Sequence, residues 1–79
     1  MAISLWVYFY DMPGGALERK IQKIAKTHGG EWTGQGTNVM NHERDNSFRF
    51  EDEDQTDSFR VALAHQKVDL VRVAKQVEA

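Results

Sequence analysis

The chain has 79 residues, 41% of them hydrophobic, with ten Lys+Arg against twelve Asp+Glu for a formal net charge of −2. That length fits one small domain spanning residues 1–79, which buries only about 60% of the surface its unfolded chain exposes. The absence of cysteine excludes disulfides, thiolate metal sites, cysteine nucleophiles and CxxC redox chemistry. No apolar run approaches the roughly 20 residues of a membrane span. The opening MAISLWVYFYD has neither a basic n-region nor a small-residue cleavage site. A cytoplasmic protein with no membrane contact is expected.

Residues 3–10, ISLWVYFY, are apolar, β-branched or aromatic except Ser4, and read as a strand. Alternation puts Ile3, Leu5, Val7 and Phe9 on one face and Ser4, Trp6, Tyr8 and Tyr10 on the other. Asp11-Met12-Pro13-Gly14-Gly15 breaks it. Residues 16–28, ALERKIQKIAKTH, are helical by pattern, with Leu17, Ile21, Ile24, Ala25 and His28 on one stripe and Arg19, Lys20, Lys23 and Lys26 off it. Gly29-Gly30 supplies a stop.

Residues 31–40, EWTGQGTNVM, read as a second strand whose Gly34 and Gly36 mark a bulge or a close backbone approach. Asn41 to Asn46 reads as a polar turn, and Ser47 to Glu51 as a third strand with Phe48 and Phe50 on one face and Ser47, Arg49 and Glu51 on the other. In EDEDQTD, residues 51–57, five of seven positions are acidic. Thr56, or alternatively Asp54, is the expected N-cap of a helix over 57–66, whose positive end the acids suit. A final strand is expected over about 68–75, with either Val71/Val73 or Val68/Leu70 facing inward.

The order β-α-β-β-α-β implies an α+β ferredoxin-like sandwich, a four-stranded antiparallel sheet with strand order 4-1-3-2 and both helices on one face. Ile3, Leu5, Val7, Phe9, Phe48 and Phe50 are expected to meet Leu17, Ile21, Ile24, Phe59, Ala62 and Leu63 there. The other face has no helix to cover it, yet the first strand puts Trp6, Tyr8 and Tyr10 on it, with Arg49 beside them. Exposed aromatic patches mark interaction sites. Either the rings sit half-buried against neighbouring side chains with their tips in water, or the face takes a protein partner or a second copy of the chain, or single-stranded RNA stacks on the rings. SFRFE lacks the basic-aromatic run that RNA-stacking sheets carry on the third strand, and the net charge runs against phosphate binding.

Residues 1–40 carry a net charge of +1 and residues 41–79 a net of −3. Glu51, Asp52, Glu53, Asp54 and Asp57 form an acidic segment suited to a basic surface on another protein, such as one that normally holds nucleic acid. It lacks the spacing of a calcium loop. His28, His42 and His65 fit no metal-ligand spacing, no serine sits in a nucleophile elbow, and GGEWTGQG is neither a Walker A nor a dinucleotide motif. Trp32, Asn38 and His65 are residue types that a cofactor-free oxygenase pocket uses, but no spacing links them. No catalytic residue, metal or cofactor is assigned.

The stretch Ala16–Asn41 resembles one half of the regulator of ribonuclease activity B family. Those proteins also run from an amphipathic helix into an aromatic-x-Gly-x-Gly-Thr strand, matched here by Trp32, Gly34, Gly36 and Thr37. The resemblance covers about a third of the chain and implies an acidic inhibitor that binds an RNA-processing enzyme; the family's long acidic tail is missing. Size, acidity and the lack of catalytic residues also resemble small phage-encoded inhibitors of host defence, including anti-CRISPR proteins. The expected function is therefore a non-enzymatic inhibitor or regulator that occludes a larger protein, using Trp6, Tyr8, Tyr10 and Arg49 on the sheet and Glu51, Asp52, Glu53, Asp54 and Asp57 beside it. The alternatives are a single-stranded RNA-binding domain and a homodimeric domain with a small-molecule pocket.

Overall fold

The computed structural model describes residues 2–12, 14–38, 40 and 43–78. Six elements follow in chain order: β1 (Ile3–Tyr10), α1 (Ala16–Thr27), β2 (Glu31–Asn38), β3 (Glu43–Phe50), α2 (Glu53–His65) and β4 (Arg72–Val77). The sheet order is β2-β3-β1-β4, all antiparallel, as the ferredoxin-like reading requires.

Alternation along β1 is strict: Ile3, Leu5, Val7 and Phe9 are all buried. They pair with Phe50, Phe48, Asn46 and Arg44 of β3, so those four share the helix-side face. Ile21, Ile24 and Ala25 of α1 and Phe59 and Leu63 of α2 close the core over them. Phe59 stands at its centre, its ring centroid 5.6 Å from Phe48 and 5.2 Å from Phe50.

The starts of three elements differ from the sequence expectation. β3 begins at Glu43, where a polar turn was expected, because Glu43–Asn46 pair with β1 on one side and β2 on the other. A central strand's double ladder outweighs weak strand propensity. Val39, Asn41, His42 and Pro13 of the expected strand end and turns lie outside the described residues. Next, α2 starts earlier, at Glu53, with Asp52 as its N-cap: the carboxylate accepts from the Gln55 N–H at 2.9 Å. Thr56, the expected cap, is a buried residue of the first turns.

Asp52→Ala should cost about 1 kcal/mol, read as a melting temperature lowered by roughly 4–8 °C. An unchanged melting curve would show that the cap contributes nothing. Lastly, β4 starts at Arg72, after Lys67 takes a left-handed φ of 57°. Both expected inward pairs contribute in part: Val68 and Leu70 pack on the core from the approach to the strand, and Val73 from within it, while Val71 is exposed.

Candidate functional site

The sheet side facing away from the helices is built from alternate residues of all four strands. Ser4, Trp6, Tyr8 and Tyr10 of β1 pair with Arg49, Ser47, Asp45 and Glu43 of β3. On the other flank Gln76, Ala74 and Arg72 of β4 stand opposite Ser4, Trp6 and Tyr8. Among the described residues no helix lies against this face. Trp6 and Tyr8 are half-buried by their strand neighbours, and Tyr10 is 58% exposed.

The neighbours explain this gradation. Trp6 stands between Ala74 and Ser47, and beyond Ser47 comes Gly34, so the shelf beside the indole is low. Tyr8 is covered by the Arg72 guanidinium, 4.0 Å from its ring centroid. Arg72 is held there by Glu43, 3.3 Å away. On Tyr8's other side stands Asp45, whose carboxylate lies across β2: a Cβ on Gly36 would come within 2.8 Å of it. The glycines of WTGQGT thus leave room for side chains of β3, and a bulge between Trp32 and Gly34 accompanies them. At the far end Glu78 accepts from Ser4 Oγ at 3.0 Å and from Arg49 Nε at 3.1 Å.

The charge on this face is acidic. Glu31, Glu43, Asp45 and Glu78 stand against Arg49 and Arg72, and each guanidinium already has a carboxylate partner. The acidic segment lies at the helix-layer end of the molecule. Asp52 is committed to the cap and Glu53 to Lys75 at 3.1 Å. Glu51, Asp54 and Asp57 are exposed. A shallow hollow lined by Glu31, Arg49 and Glu51 joins the two regions. The structure therefore brings Trp6, Tyr8, Tyr10 and Arg49 onto one surface, with Glu51 at its rim, and leaves Asp54 and Asp57 off it.

The most organised polar cluster lies elsewhere, among residues that no sequence motif marks. Glu18, Arg44 and Asn46 are buried between α1 and β3, at 2%, 4% and 0% exposure. Arg44 Nε donates to Glu18 Oε2 at 3.0 Å, and the Arg44 fork reaches the same carboxylate, Thr37 Oγ1 and Gln35 Oε1. Asn46 Nδ2 donates to Glu18 at 2.8 Å and Gln22 Nε2 donates to Asn46 at 2.8 Å. Glu18 Oε1 accepts from the Gly14 N–H at 2.7 Å, while the Glu18 N–H donates to Asp11 at 2.9 Å. That Asp11 carboxylate occupies the space a Gly15 side chain would need.

Burial pushes the Glu18 pKa up, but the hydrogen bonds from Asn46, Gly14 and Arg44 and the Arg44 charge outweigh it, so the carboxyl sits below its ordinary range. No buried side-chain nitrogen or oxygen among the described residues lacks a partner. The cluster is thus a closed clamp between α1 and the sheet. No group of three metal-ligating side chains occurs among the described residues; His28 and His65 are on the helix layer, and His42 lies outside the described residues. No helix among the described residues is long and apolar enough to cross a membrane.

No family model and no curated protein matches the sequence. Among solved structures, protein Rv0793 from Mycobacterium tuberculosis is similar, with a TM-score of 0.60 and 13% identity over 100% of this chain and 96% of that one. Protein Atu4242 from Agrobacterium tumefaciens is similar at a TM-score of 0.53 and 14% identity, over 100% of this chain and 92% of that one. At such identities the likeness is one of fold.

Proposed function

We propose that the chain is a non-catalytic acidic binding protein that inhibits or regulates a larger protein by occluding part of its surface. The observation that carries this reading is the uncovered sheet face, where Trp6, Tyr8 and Tyr10 stand in one row among an excess of carboxylates. Aromatic side chains give large contact area at small entropy loss and dominate interface energetics. The carboxylates select a partner surface rich in Lys and Arg, of the kind a nucleic-acid-processing enzyme presents to its substrate. An inhibitor of this size and charge, such as phages encode against host defence, acts by filling that surface. The acid excess favours such a protein over RNA as occupant, because the cations of α1 lie on the opposite layer from the rings.

Affinity capture with the immobilised full chain tests this, run beside Trp6→Ala and Asp45→Arg. A basic protein should be retained by the parent chain at low salt, released at high salt, and bound at least about tenfold more weakly by each variant, the size of an interface hot spot. Equal retention by both variants would overturn the sheet-face contact. Sedimentation reports on the other occupant: a mass that doubles with concentration and reverts in Trp6→Ala would assign the face to a second copy.

A further inference from the structure

On the layer opposite the aromatic face, α1 and α2 lie side by side. Lys20 Nζ donates to the Gln66 carbonyl at 3.2 Å, just past the end of α2. Gly29, just past the end of α1, lies against Gln55 in the first turn of α2. The helices therefore run in opposite directions and leave a groove between their outer sides. Two hollows along it share His28 and Gln66. One, of about 580 Å³, is lined by Arg19, Lys20 and Lys23 with Ile24 beneath. The other, of about 550 Å³, is lined by Ser58, Val61, Ala62 and His65, with Asp57 at one end.

The two walls differ in chemistry. Arg19, Lys20, Lys23 and Lys26 are all exposed on α1, and the helix's one carboxylate, Glu18, is turned inward onto Arg44. Among the described residues, Arg19, Lys23 and Lys26 have no ion-pair partner. The wall from α2 has an apolar centre between Ser58 and His65: Val61 is 55% exposed, with Ala62 half-buried beside it. A cationic wall facing an exposed apolar one is an arrangement that water alone satisfies poorly on the apolar side.

We propose that this groove takes an acidic amphipathic helix from another protein. Its apolar side chains, at i, i+3 and i+4 spacing, cover Val61 and Ala62, and its carboxylates meet Arg19, Lys20 and Lys23. The cations from Arg19 to Lys26 span about 10 Å of helix, which two turns of an opposing helix match. The small side chains of α2 allow an interaxial approach of about 8–10 Å. A nucleic-acid strand answers the same cations but offers nothing to cover Val61. No residue of the sheet face takes part, so this contact and the one proposed above fail or succeed separately.

The test titrates the full chain, labelled with nitrogen-15, with three probes: a peptide of about 16 residues carrying leucines on one helical side and glutamates on the other, a scrambled peptide of the same composition, and a single-stranded oligouridylate. Amide shifts should be confined to residues 19–28 and 58–66. Affinity should fall about tenfold or more in Arg19→Glu/Lys23→Glu, whose exposed side chains leave the folded spectrum intact, and should be unchanged in Trp6→Ala. Scrambling should weaken binding at least about fivefold. The proposal is overturned by an absence of shifts at low salt, by shifts centred outside the groove, by equal affinity for the scrambled peptide, or by tighter binding of the oligouridylate there.

Discussion

Arg44→Ala should remove about 3–5 kcal/mol of folding stability, because it leaves the Glu18 carboxylate buried without its cation. A domain of this length holds on the order of 4–12 kcal/mol in total, so the variant should lose at least about a quarter of that margin. The effect goes beyond the lost ion pair. Thr37 and Gln35 on β2 also lose the guanidinium that ties them to α1 through Glu18. Arg44→Lys keeps the charge but not the planar fork, and should recover only part of the loss.

The pH dependence has a definite sign. The Glu18 pKa is lowered in the folded protein, so its stabilisation is fully present above the unfolded glutamate value of about 4.3 and is lost as pH falls through the lower folded value. Urea midpoints measured from neutral pH down to about pH 2.5 should therefore decline through the acid range for the parent chain. Equal midpoints for the parent and Arg44→Ala at neutral pH would sink the assignment of Glu18 and Arg44 as a clamp.

Phe59→Ala is expected to cost about 3–5 kcal/mol, the range for emptying a fully buried phenylalanine site. Phe59 is wholly buried and joins α2 to both aromatic residues of β3. Deleting it leaves Phe48 and Phe50 without their ring partner, which adds about 0.5–1.5 kcal/mol per aromatic pair within that range. Phe59→Leu refills much of the volume but forfeits both ring pairs, and should cost about 1–3 kcal/mol, less than Phe59→Ala. Equilibrium unfolding of the two variants decides it: a loss below about 1 kcal/mol for Phe59→Ala would mean that the core centre lies elsewhere.

The contrast between these two sites explains what could be read in advance. Phe59 belongs to a period of apolar residues, and periodicity is the strongest signal a sequence carries. Glu18 sits on the same helical stripe as Ile21 and Ala25, and Arg44 and Asn46 alternate in phase with Phe48 and Phe50. Those phases were visible, but a charged residue on an apolar stripe reads as solvated until its partner is found, and the partner lies 26 residues away. The same limit applied to β3. Glu43–Asn46 carry turn-like residues, and only pairing on both edges makes them strand. The cap of α2 lies at Asp52 and not at the expected Thr56 or Asp54, because polar residues in a row are equivalent until the backbone places one of them beside the Gln55 N–H.

Alternation in the strands, the two helical stripes and the turn residues between them were enough to determine the β-α-β-β-α-β order, the apolar core residues, and the row of Trp6, Tyr8 and Tyr10 on the far side, because each depends on spacing within a few neighbouring residues. Tertiary structure decided what those spacings leave open. It turned Glu18 onto Arg44, laid Asp45 across Gly36 and set Arg72 over Tyr8. These are contacts between residues distant in the chain, and their energies depend on distance and burial, which local sequence does not specify.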